Sequence, residues 1–229
     1  MKTITIPEIG EVHLQKHAAS KSIRISIKSD GRVIVTLPKW APYAAGAAFV
    51  KNKQAWILEN RQPETSIING QAIGKFHHIY FKASQDSTSP STRQKGSELW
   101  VKYPENASIA EASVQKAAQT IAKRALRNQA ETLLPKRLSD LAIKYDFNYN
   151  SISVRQLKAR WGSCSSKQDI TLNFFLMQLP WDLIDYVLLH ELTHTRVMHH
   201  GPEFWALFDS VLPGAKKKRT ELKAYKPSI

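Results

Sequence analysis

"YVLLHELTHTRVMHHGPEFW", from Tyr186 to Trp205, holds four of the chain's eight histidines: His190, His194, His199 and His200. An apolar run leads straight into the first of them. Two histidines at i and i+4 lie about 40° apart around a helix and about 6 Å along it, so both imidazoles reach one ion. Glu191 stands beside the first, where a carboxylate meets a metal-bound water without occupying the metal. This H-E-x-x-H order is that of zinc hydrolases, in which the ion lowers the water's pKa toward about 7 and the Glu takes its proton. Random placement of eight His and eleven Glu yields the pattern in roughly one chain in a hundred. The lead-in "DYVLL" makes chance a poorer rival, because it puts the motif on a buried helix. A lone histidine there reads as a satisfied core residue; two flanking a Glu do not.

A catalytic zinc takes three protein ligands and keeps a fourth position open. Downstream, His199, His200 and Glu203 are the candidates. On a straight helix His200 sits about 240° around from His194 and cannot share its ion. The helix must therefore end first, yet Gly201-Pro202, the stop signal, comes late. A turn beginning between Thr195 and Met198 would bring His200 back.

Composition bounds the rest. The chain has 229 residues, 42% of them hydrophobic, enough for one large domain or two small ones. No run approaches the roughly 18 apolar residues of a membrane span, and "MKTITIPEIGEVHLQKH" has no signal-peptide core. One cysteine, Cys164, excludes an internal disulfide and fits a reducing compartment, so the expected location is the cytoplasm. Net charge is +14, spread evenly, with a local concentration at "AKKKRTELKAYK". Such a surface attracts nucleic acid, anionic substrates or acidic partners, and serves solubility equally well. No RNP-type aromatics, zinc-finger spacing or basic heptads accompany it, so charge alone assigns no function.

The texture changes near residue 104, which predicts an α+β chain with regions 1–103 and 104–229. "SIRISI" alternates as a half-buried strand, and "SDG" turns it into "RVIVTLP" as a hairpin. "WAPYAAGAAFVKNKQAWILENR" reads as one helix burying Phe49, Trp56 and Ile57. "IINGQAIG" carries an Asn69-Gly70 turn. "HHIYFKA" and "ELWVKY" read as hairpin arms around a mobile loop, "SQDSTSPSTRQKG". From residue 105 the pattern is helical, with a break or kink near Pro135. "SISVRQLKARWGSCS" and "DITLNFFLMQLP" read as strands, and Pro180 and Asp182 open the histidine helix.

"ARWGSCSS", "ITLNFFLMQLP" and "IDYVLLHELTHTRVMHHGPEFW" together resemble the YgjP-like metallopeptidases, prokaryotic relatives of the SprT-type and other gluzincin-like zinc proteins. The N-terminal "SIRISIKSDGRVIVTLP" and the helix carrying Trp56-Ile57 are similar too, so the likeness covers almost the whole chain. H-E-x-x-H alone is weak; joined to R-W-G-S-C and H-x-x-x-F-W at these spacings it is strong. The resemblance implies a zincin-like catalytic part after a β-rich N-terminal part. It implies one zinc held by His190, His194 and His200, Glu191 as general base, and "RWGSC" as a strand beside the metal helix. His199 stands where the family often has Asn. A metzincin would place Gly where Val197 stands, which excludes that class.

Other residues are candidates of a second rank. Arg160, Gly162 and Asn173 are candidates for substrate binding, against readings as a salt-bridged arginine, a close backbone approach and a turn cap. Cys164 fits a small buried thiol better than a residue that binds or regulates metal. Phe204 and Trp205 are expected to pack the returning segment, and a second metal site at His77 and His78 is the remotest option. Three functions compete: a zinc peptidase acting on peptides or proteins, a zinc hydrolase of nucleotides or phosphate esters (or a nucleic-acid-associated protease), and a basic module with structural zinc. A closed structural site has no use for Glu191. The phosphate reading suits the charge but lacks a phosphate-binding loop. Oligomeric state is not legible.

Overall fold

The computed structural model describes residues 2–27, 31–60 and 66–229, which fall into two compact units, Met1–Ser66 and Ile67–Ile229. The first unit holds β1 (Lys2–Ile6), β2 (Gly10–Lys16), β3 (Arg24–Ile27), β4 (Val33–Leu37), α1 (Tyr43–Asn52) and α2 (Gln54–Asn60). Its sheet runs β1-β2-β4-β3. β3 and β4 form the expected antiparallel hairpin, with Arg24 opposite Thr36 and Ile27 opposite Val33. Residues Ser29 and Asp30 of its turn lie outside the described residues, as does Arg61 at the end of the expected helix. Val12, Leu14, Val33, Val35 and Leu37 build the core, closed by Val50 and Ile57. The single helix expected here is interrupted at Lys53, whose N–H bonds both Phe49 O and Val50 O. That break rephases the second piece, so Ile57 is buried while Trp56 is 45% exposed.

The second unit contains β5 (Ala72–Ile73), β6 (His77–Ser84), β7 (Ser91–Lys95), β8 (Glu98–Pro104), α3 (Ala112–Lys144), β9 (Ser151–Arg155), β10 (Gly162–Cys164), β11 (Asp169–Asn173), a 3-10 turn (Phe174–Gln178), α4 (Trp181–His194), α5 (Pro202–Val211) and α6 (Ala215–Leu222). The Asn69-Gly70 turn forms as expected: Gly70 takes φ +81°, and Asn69 Oδ1 accepts from Phe81 N. β6 and β8 are not hairpin arms. They pair in parallel, and the segment expected to be a mobile loop supplies β7, antiparallel to β8. Every residue of β7 is exposed, so the backbone ladder, not side-chain burial, holds this edge strand.

The unit boundary at 66/67 differs from the texture change at 103/104. Ile73, Ile79, Leu99 and Val101 of the sheet share one core with Val114, Ala118, Ile121 and Leu126 of α3. Texture follows element type, whereas a unit follows which apolar faces cover each other. α3 also runs unbroken through Pro135. Proline deletes one backbone bond there, but Leu134 and Leu138 on either side stay fully buried and hold the helix in line. The third sheet is β10-β11-β9, with β9 and β11 parallel. "FFLMQ" leaves the strand for a 3-10 turn because Asn173 Oδ1 accepts from Phe175 N and caps it. No helix among the described residues is long and apolar enough to cross a membrane.

Gly74 locks the β5 turn onto α3. Its φ is +67°, and a Cβ there would overlap Gln129 Oε1 and stand 2.8 Å from Leu126 Cδ2. Gln129 is the joint itself: it accepts from Lys75 N at 2.6 Å and donates to Ile73 O at 3.0 Å. Gly74→Ala is therefore expected to cost about 2 kcal/mol or more of stability, read as a lowered urea midpoint.

Candidate metal centre

α4 carries the first two histidines because its N-terminal turns are fully committed to the core. Leu183, Ile184, Val187, Leu188 and Leu192 are buried, so the helix cannot rotate without exposing them. One face of its last turn then offers His190 and His194, with Nε2 atoms 3.2 Å apart. α4 ends at His194, well before Gly201-Pro202. Thr195 closes it by donating Oγ1 to Leu192 O, and Val197 N bonds Thr193 O. Beyond the reversal, the Arg196 guanidinium bonds Asp146 O and stacks 4.6 Å over Phe147. Pro202 opens α5 rather than stopping α4.

This early ending brings His200 back. Its Nε2 lies 3.0 Å from His190 Nε2 and 3.2 Å from His194 Nε2, while His199 is exposed and outside the cluster. Phe204 packs against all three rings, with centroids 5.0, 4.7 and 4.7 Å from His190, His194 and His200. It is fully buried. Trp205 lies farther out, 6.5 Å from the His200 ring.

The triangle of nitrogens suits a cation. Zinc–nitrogen bonds of 2.0–2.1 Å in a tetrahedron place nitrogens about 3.3 Å apart, close to the spacing found here. His194 Nδ1 lies 3.1 Å from Val197 O and donates to it, which leaves the Nε2 lone pair facing the other two histidines. Burial first, and neighbouring positive charge second, lowers the His190 pKa to about 3. His194 and His200 are also lowered, chiefly by burial. All three are thereby held neutral, the form that ligates. His190 Nδ1 is buried without a hydrogen-bond partner. The structure thus lacks there the carboxylate or carbonyl that usually orients such a ligand.

Glu191 is 5% exposed, and burial pushes its carboxyl up to about 8, against the pull of the Arg160 charge. Gly162 on β10 lies directly against it. A Cβ at Gly162 would stand 2.7 Å from Glu191 Oε1 and 2.9 Å from its carboxyl carbon. Arg160 is exposed and reaches the site as a charge near Glu191. Asn173, a candidate for substrate binding, is fully buried and spends its side chain on the backbone. Its Nδ2 donates to Leu157 O at 2.8 Å and Arg160 O at 3.0 Å, so it ties the loop between β9 and β10 to β11. Burial, with the Glu191 and Asp169 charges, raises the Cys164 thiol to about 11, and its Sγ lies 3.5 Å from Ser165 O. His77 spends both ring nitrogens on Gln129 and Gln94. Among the described residues the three-histidine group is the one metal-competent cluster. Arg219 and Tyr186, unmarked in the sequence, also stand here: the Tyr186 ring stacks 6.0 Å from His190. Its position one turn before His190 was the available signal.

The YgjP-like, metallopeptidase domain profile matches residues 21–225. The chain belongs to the YgjP-like family. No curated protein matches it. Two solved structures resemble part of it: the metallopeptidase zymogen of Pyrococcus abyssi abylysin, at 24% identity and TM-score 0.37, over 40% of this chain and 93% of that one. The metallopeptidase zymogen of Methanocaldococcus jannaschii jannalysin matches at 23% identity and TM-score 0.33, over 38% and 88%. As a YgjP-like metallopeptidase, the chain is a metal-dependent peptidase.

The two adjacent histidines provide a sharp test of the geometry. His200→Ala is expected to weaken metal affinity by more than about a hundredfold, since losing a coordinating nitrogen outweighs the roughly 10–100-fold loss that follows removal of a group hydrogen-bonded behind one. His199→Ala is expected to leave it unchanged. Competition against a chromogenic chelator reads both.

Proposed function

We propose that this YgjP-like protein is a zinc peptidase in which His190, His194 and His200 hold one ion and Glu191 is the general base. The observation that carries this reading is the convergence of the His190, His194 and His200 Nε2 atoms at 3.0–3.2 Å, with the buried Glu191 carboxyl next to His190 on α4. Bound there, zinc supplies a water of pKa near 7 and polarises a carbonyl. Glu191 accepts the water's proton at its carboxylate and returns it to the leaving amine. Burial raises the Glu191 carboxyl, which favours its taking up a proton. A divalent cation and Arg160 both favour the ionised form and offset burial. Gly162 leaves Glu191 room that any side chain would fill.

Substrate is read as an extended peptide. β10 pairs with β11 on one side only and is an edge of its sheet, so its other side offers backbone groups for strand addition. Its neighbour across the site is α4, which puts that edge beside the histidines.

Zinc-loaded protein incubated with an unstructured protein, and separately with nucleoside triphosphates, discriminates this reading from phosphate-ester hydrolysis. Cleavage of the former alone is expected. Glu191→Gln should keep its zinc and lose peptide hydrolysis by about a thousandfold, within the span of general-base effects; near-normal turnover would remove Glu191 from the reaction. Gly162→Ala tests the same carboxylate from outside. By displacing Glu191 it is expected to retain zinc and lower kcat by about a hundredfold, the usual cost of an ångström of misplacement.

A further inference from the structure

Arg219 is a cation near His190 and His200 that forms no ion pair among the described residues. It lies on α6, which is held at two points: Ala215, its first residue, is buried in the core shared with α4, and Lys218 bonds Asp182 in the first turn of α4. Lys218 also takes Glu221, at 3.0 Å. Asp182 and Glu221 are thus spent on Lys218, and among the described residues Arg219 forms no ion pair. Its guanidinium carbon stands 5.4 Å over the Trp205 ring, which is itself 6.5 Å from the His200 ring. Nearness to the site also shows in its field. Burial is the main cause of the low His190 and His200 pKa values, and the Arg219 charge adds to it at both. At Tyr186, where burial raises the phenol, Arg219 opposes it.

A positive charge held next to a cation-binding site works against that cation unless an anion arrives between them. A planar guanidinium lying over an indole ring offers its fork of N–H donors for two-point recognition of a carboxylate. We propose that Arg219, oriented by Trp205, is a specificity-determining residue that binds a carboxylate of the peptide substrate close to the scissile bond. The carboxylate comes from an acidic side chain or from a free C-terminus. This rests on the peptidase reading above.

The test has two arms. In the first, calorimetry measures zinc-loaded protein binding a short peptide hydroxamate with a free C-terminal carboxylate, its C-terminal amide, and the amide carrying Glu in place of Gln. Wild type is expected to bind at least one carboxylate form about tenfold more tightly than the amide. Arg219→Gln should erase that difference while zinc content stays at one equivalent, and Arg219→Lys should restore part of it. Which form wins distinguishes a terminal from a side-chain carboxylate. An equal preference in wild type and Arg219→Gln overturns the proposal, as does the absence of any preference. In the second arm, quenched peptides differing by Glu against Gln beside the cleaved bond should show the same ratio in kcat/KM. An Arg219-dependent carboxylate preference with no peptide cleaved would sink the peptidase reading and leave the carboxylate site standing. Hydroxamates that bind no form of the protein would overturn both.

Discussion

The reversal of the chain after His194 is the constraint on which the site depends. A helix delivers two ligands four residues apart at no conformational cost, but its own geometry then carries the next candidates away from the ion. The third ligand needs a change of direction within one turn. Here no glycine or proline makes it. Thr195 caps the last carbonyls, His194 donates to Val197 O, and Arg196 is gripped by Asp146 and Phe147. Phe204 then fills the space beneath all three imidazoles, so the returning segment has one packed position rather than many.

Those same contacts concentrate unfavourable groups. Three nitrogen lone pairs face each other, His190 Nδ1 is orphaned, and a carboxyl is buried on the adjacent position. Each costs free energy in a protein whose core must supply the balance. The balance comes from elsewhere in the second unit: α3, the 3-10 turn and α4 share one continuous apolar core, with Phe174, Phe175, Leu188 and Leu192 fully or almost fully buried. A cation bound between the three nitrogens would relieve the lone-pair repulsion and favour the ionised carboxylate. Electrostatics is asymmetric around it, with Arg160 toward Glu191 and Arg219 toward His200.

Much of this was legible in the residues themselves. H-E-x-x-H at helical spacing, an apolar lead-in and a downstream H-x-x-x-F-W specify a metal helix and a returning segment, because ligand chemistry and helix period are local properties. The β3–β4 hairpin and the Asn69-Gly70 turn were likewise local, set by alternation and by φ > 0 at one glycine. Pairing was not. β6 and β8 have the composition of hairpin arms, yet they lie parallel with β7 on the outer side, because strand composition does not encode direction. The continuity of α3 through Pro135 depended on burial at Leu134 and Leu138, which only the packed core supplies.

The sequence by itself therefore determined the kind of chemistry, namely two imidazoles, a carboxylate and a family signature around them. Tertiary structure decided which histidine completes the triangle, that Asn173 bonds the backbone of the loop before β10, that Gly162 lies against Glu191, and that Arg219 comes near His200. The physical reason is range. Ligand spacing along a helix is fixed within four residues, whereas Gly162 against Glu191, Asp146 against Arg196 and Trp205 beneath Arg219 bring together residues 14 to 50 positions apart. Such meetings are set by which apolar faces bury one another, a sum over the whole unit that no short stretch contains.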